Sequence, residues 1–159
     1  MTDPKPARTD GNLRRTLAEF SVPSEPGNER QAMEAVASAI KDLGLTQQRL
    51  ERLKTAVAEA TMNAMEHGNK YRADVPVEVM VLVEDQDLMV RITDRGSGPP
   101  PSQGGVVPDL EAKLGGSQTP RGWGMFLIAR MVDEVRVSGN PDHHTVELVL
   151  RLEIGRDGN

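Results

Sequence analysis

Three short segments of this chain carry side chains suited to phosphate chemistry. The first covers residues 59–69 and reads Glu59-Ala-Thr-Met-Asn63-Ala-Met-Glu-His67-Gly68-Asn69. A helix over 47–67 sets Leu50, Leu53, Val57, Ala60 and Ala64 on one face, and Glu59, Asn63, Glu66 and His67 on the other. Glu59 and Asn63, one turn apart, then project together. A carboxylate there can take a proton from a hydroxyl or a water, and an amide oxygen is a hard ligand that Mg²⁺ accepts beside phosphates. The same pattern describes the solvated side of an ordinary amphipathic helix, and this segment alone does not separate the two readings.

The second segment is Asp94-Arg-Gly96-Ser-Gly98, which ends the run Leu88-Met-Val90-Arg-Ile92-Thr. Leu88, Val90, Ile92 and Asp94 share one parity, so a strand that buries the first three turns the carboxylate inward as well. A buried acid needs a donor, and the exocyclic amine of adenine is a suitable one. Alternatively, Asp94 only opens a turn. Gly96 and Gly98 fit either reading, since glycine lets backbone approach a ligand with no Cβ in the way. The third segment is Arg121-Gly122-Trp123-Gly124-Met125, read as a turn preceding an apolar helix over 125–132. Its amides then lie at a helix N-terminus, a ready site for polyphosphate. Neither a P-loop motif nor a strand-linked Gly-x-Gly-x-x-Gly is present.

Strands and helices must hold these segments in place. Residues 13–22 read as a strand and 23–27 as a turn. Met33, Val36, Ala37 and Ile40 keep helical spacing over 28–43, and Gly44 is placed to end that helix. Val77, Val79, Val81 and Val83 alternate as a strand does, and residues 84–87 join it to the next in a hairpin. A second hairpin is expected from 135–138 and 145–152 across 139–142, with Val146, Leu148, Leu150 and Leu152 as its buried row. The expected fold is α+β, a two-layer sandwich with helices on one face of a mixed, mainly antiparallel sheet. Residues 95–121 hold six Gly and five Pro, the composition of a functional loop or a disordered one. Between the two glycine segments that stretch would act as a lid, from which Thr119 and Arg121 could reach terminal phosphates; both also suit an ordinary loop. Disorder is expected for 1–12 and 154–159, leaving 13–153 as one domain.

Composition narrows the function further. A chain of 159 residues, 37% hydrophobic and only 3% aromatic, builds one aliphatic, methionine-rich core. Zero Cys rules out disulfides and thiolate metal sites, and three His show no zinc-like spacing. A net charge of −5 disfavours direct nucleic-acid binding. With no apolar run of membrane-spanning length and no secretion-like start, a cytoplasmic location is expected, away from membranes.

Taken in order, the three segments resemble the N-box and the two glycine boxes of the ATPase superfamily shared by gyrase, Hsp90, histidine kinases and MutL. Size sets the chain apart from members that carry transmission domains or a phosphoacceptor helix pair. Over residues 13–152 it resembles the free-standing anti-sigma serine kinases, through Glu59-x-x-x-Asn63-Ala64-x-x-His67 and Asp94-x-Gly96-x-Gly98. Trp123 between the second-box glycines and the run Pro99-Pro-Pro101 depart from that pattern. The resemblance implies ATP and Mg²⁺ as cofactors, Glu59 as base, Asn63 as metal ligand and Asp94 as adenine reader. Gly96, Gly98, Gly122 and Gly124 become a backbone cradle, flanked by Thr119, Arg121, Trp123 and Met125. His67 either polarises a phosphate or holds the helix end. The implied partners are a sigma factor, an anti-anti-sigma protein of STAS type whose serine is phosphorylated, and a second copy in a homodimer. Two other functions remain open: a nucleotide-dependent binding or switch module, and a detached histidine-kinase catalytic domain.

Overall fold

A computed structural model describes residues 7–9, 12–96 and 120–152. Six strands form one sheet in the order β1-β2-β3-β4-β6-β5: β1 Ala7–Thr9, β2 Asn12–Val22, β3 Val77–Glu84, β4 Asp87–Asp94, β5 Glu134–Asn140 and β6 His143–Arg151. Every pairing among them is antiparallel. Helices α1 (Asn28–Ile40), α2 (Gln47–Asn63) and α3 (Pro120–Met131) complete the expected α+β two-layer sandwich. One expectation is corrected at the N-terminus, where Ala7–Thr9 pairs with β2 instead of lying in a disordered segment.

Local chemistry explains most boundaries. The α1 helix tightens into a 3₁₀ turn at Lys41–Leu43 and stops at Gly44, whose φ of 77° is left-handed and suits glycine. Thr46 caps α2, its Oγ1 accepting from the Arg49 N–H at 3.2 Å. At the β5–β6 turn, Asn140 Oδ1 accepts from the Asp142 and His143 amides at 2.8 and 3.1 Å. That side-chain turn lets both strands run further than composition suggests.

The core lies between the sheet and the helices. The alternating rows Val77, Val79, Val81 and Leu88, Val90, Ile92 meet Val146, Leu148 and Leu150, and α1 and α2 cover them with Val36, Ile40, Leu53 and Val57. The other sheet face is different. There Leu82, Met89 and Val149 are buried as a small second cluster, beside a row in which Glu147 holds both Arg91 and Arg136. Long arginine stems can cover apolar side chains while keeping their charges paired. The candidate residues Glu59, Asn63 and Asp94 belong to the helix-covered face.

Candidate functional site

The α-helical hydrogen bonding of α2 ends at Asn63 and widens into a π-turn over Ala64–Gly68, a local feature common at functional sites. The Asn69 and Tyr71 amides close it on Ala64 and Met65 carbonyls at 2.8 and 2.7 Å. Lys70 and Tyr71 then take φ of 55° and 54°, left-handed positions that non-glycine residues hold only when the surroundings insist. Asn69, fully buried, supplies that insistence. Its Nδ2 donates to Ser24 Oγ and the Val75 carbonyl at 3.0 and 3.1 Å, and its Oδ1 accepts the Arg95 N–H at 2.8 Å. One side chain thus ties the π-turn to the ends of β2, β3 and β4.

This knot brings glycine against the acid at the end of β4. A Cβ on Gly68 would stand 2.2 Å from Asp94 Cγ, and one on Gly96 would stand 2.4 Å from the Gly68 carbonyl oxygen. Asp94 is 4% exposed, as its parity with Leu88, Val90 and Ile92 requires. Its Oδ1 accepts the Gly96 N–H at 2.8 Å and lies 3.1 Å from His144 Nδ1. His144 is as buried as its partner. Sequence reasoning missed it, because only the β4–β6 register, which sets Asp94 opposite His144, makes them neighbours.

At the other end of the site, α2 meets α3. The turn expected at residues 121–125 is helical from Pro120 onward, a correction with a simple cause: proline's fixed φ suits a first helical position. Gly122 and Gly124 are therefore helix residues. In the first turn the Arg121 and Gly122 amides are the ones an α-helix leaves without internal partners. Gly124 serves close approach, since a Cβ there would meet Asn63 Nδ2 at 2.7 Å and Glu59 Oε2 at 2.9 Å. The face of α2 that carries these two groups is covered rather than solvated. Asn63 is 7% exposed and, among the described residues, its Nδ2 has no hydrogen-bond partner; Thr61 Oγ1 is likewise unsatisfied. Burial, with a smaller push from the Glu66 charge, raises the pKa of Glu59.

The remaining candidates divide plainly. His67 follows on the π-turn, its Nε2 4.0 Å from Glu66 Oε1. The Met125 side chain is 2% exposed and packs in the core, where it anchors α3 from beneath. Gly98 and Thr119 lie outside the described residues, as do the side chains of Arg121 and Trp123.

These features fit a nucleotide with a divalent cation. An unpartnered, buried amide is a group waiting for a ligand. No hydrogen bond decides which end of the Asn63 carboxamide faces inward, so its oxygen is available to a hard cation. At Gly68, Gly96 and Gly124 a Cβ would collide with neighbouring atoms, so glycine is what permits these close approaches.

Comparison with known proteins supports the nucleotide. Residues 22–150 match the family model for the histidine kinase-like ATPase domain. The anti-sigma F factor of Pasteuria penetrans is 29% identical over 91% of this chain and 97% of its own length. That of Bacillus velezensis is 32% identical over 80% and 84%. Two solved structures share the fold. The RsbU and RsbW domains of Rv1364c from Mycobacterium tuberculosis superpose on 85% of this chain with a TM-score of 0.61 at 17% identity, this chain spanning 32% of that one. The SiaB–SiaC complex from Pseudomonas aeruginosa gives 0.57 at 16% identity, covering 86% of this chain and 90% of that one. The chain belongs to the histidine kinase-like ATPase domain family, and its curated relatives there are anti-sigma F factors.

Proposed function

We propose that the chain is an ATP- and Mg²⁺-dependent serine-protein kinase that also acts as an anti-sigma factor. In this reading it holds a sigma factor, phosphorylates a serine on a separate anti-anti-sigma protein of STAS type, and works as a homodimer. The observation that carries the proposal is the convergence at Gly124 of a carboxylate with a raised pKa and an unpartnered amide. The names of the curated relatives support the choice of partner.

Phosphoryl transfer asks a protein mainly for alignment and charge neutralisation. Bound Mg-ATP supplies the phosphoryl group and the cation that offsets its charge. Glu59 would accept the proton of the attacking serine hydroxyl, and its burial places it nearer neutral pH, where a general base works best. Asn63 would hold the cation through its amide oxygen. The free amides of the first turn of α3 would bind phosphate oxygens, and Asp94 would accept from the adenine amine.

Incubation with γ-labelled ATP and candidate partners, followed by mapping of the label, tests the proposal. Label on a serine of a small partner is the expected result. Label on histidine points instead to a detached histidine-kinase catalytic domain, and tight ATP binding with no transfer points to a nucleotide-dependent binding module.

A further inference from the structure

The reaction outlined above leaves one buried polar side chain without a task, His144. It is 2% exposed and faces Asp94 across the β4–β6 pairing. Its ring lies close over β5, where a Cβ on Gly139, its partner in the β5–β6 register, would come within 3.0 Å of Cδ2. The acid is confined as tightly, because a Cβ on Gly68 would stand 2.5 Å from Oδ2 and 2.6 Å from Oδ1. Both hydrogen bonds to the carboxylate, from the Gly96 N–H and from His144, fall on Oδ1. Among the described residues, none falls on Oδ2.

Chemistry gives that asymmetry a meaning. A carboxylate that must read an exocyclic amine has to act as an acceptor only, and in one orientation. A 6-oxo group set opposite that acceptor would bring two acceptors together and find no donor. A donor at His144 Nδ1 would hold the carboxylate in one orientation by occupying Oδ1, leaving Oδ2 to face the base. We infer that His144 is a positioning residue for nucleobase selection, holding Asp94 so that Oδ2 is presented to a 6-amino purine and a 6-oxo purine is refused. The inference rests on the reading of this site as a nucleotide site.

Adenosine and inosine triphosphates differ only in the 6-substituent and the N1 proton that accompanies the 6-oxo form, and are the probes. Calorimetry on the wild type should show preference for the adenosine form. His144→Phe fills the same space without a donor, and should narrow that preference by roughly ten- to a hundredfold, the range for a hydrogen bond to a charged group. His144→Asn keeps a donor near the Nδ1 position and should restore most of it. Equal loss of both nucleotides in His144→Phe, or an unchanged ratio, overturns the inference by assigning His144 to structure alone. If wild type binds neither probe, the nucleotide reading itself fails and takes the inference with it; if it binds both equally, the nucleotide reading stands and the inference alone is overturned. A second measurement needs no variant: long-range ¹H–¹⁵N spectra of the wild type should show His144 protonated at Nδ1, and an Nδ1 without a proton would refute the role.

Discussion

The two ends of the site are built on opposite plans. Around Asp94 the described surroundings are crowded and leave only Oδ2 open: the Gly96 amide and His144 meet Oδ1, Gly68 backs the carboxyl group, and Asn69 binds the surrounding backbone. Around Asn63 the reverse holds, with an Nδ2 that has no partner among the described residues and a carboxylate disfavoured by burial. A reader of one base must be stiff, because discrimination comes from refusing alternatives. A centre that meets phosphate and a cation gains by leaving groups unsatisfied until the ligand arrives.

Substitutions can break this contrast. Glu59→Gln should lower phosphotransfer about 10²–10⁴-fold while ATP affinity stays within a few-fold, as single-turnover assays and calorimetry would show. The same variant should be more stable than wild type at neutral pH. The folded state raises the Glu59 pKa, so ionising it opposes folding above that pKa. The gain should fade as pH falls into the ordinary glutamate range, where the carboxyl is protonated both folded and unfolded. Parallel loss of binding and turnover would instead make Glu59 structural.

Glycine substitutions separate the ends most clearly. In Gly124→Ala the new methyl meets the far ends of Asn63 and Glu59, which can move aside, and alanine favours a helix. Turnover should fall about a hundredfold through misplaced groups, with the melting temperature held or raised. In Gly68→Ala the methyl meets a carboxyl that cannot move, so stability should drop by about 1–3 kcal/mol, seen as a lower denaturant midpoint. Equal stability losses at both positions would erase the distinction. The smallest effect belongs to Glu66→Gln. Removing that charge should move the acid limb of the pH–rate profile slightly to lower pH, since burial is the larger cause of the raised Glu59 pKa. An unmoved limb would detach Glu66 from the base.

Much of this molecule could be read from its residues, and the reasons are physical. Alternation at Val77, Val79 and Val81 has the period of a strand, so the sheet and the inward turn of Asp94 followed from it. The boundary of α3 did not, because glycines at 122 and 124 carry a turn signal that close helix packing overrides. Asn63 was legible as a chemical group, but its burial depends on α3, an element far along the chain. His144 left no local trace. Its role depends on strand register, which turn geometry and core packing decide together.

The central claim is that Asn63 and Asp94 serve one bound nucleotide, the first through its cation and the second through its base. Calorimetric titration of wild type, Asn63→Ala and Asp94→Asn with ATP and GTP, each with Mg²⁺ and with chelator, tests it most directly. Wild type should prefer ATP and bind it more tightly with Mg²⁺. Asn63→Ala should keep the base preference but lose the Mg²⁺ dependence, and Asp94→Asn should keep Mg²⁺ dependence but lose the preference. Variants that both match wild type, or that both lose everything together while remaining folded, would contradict it.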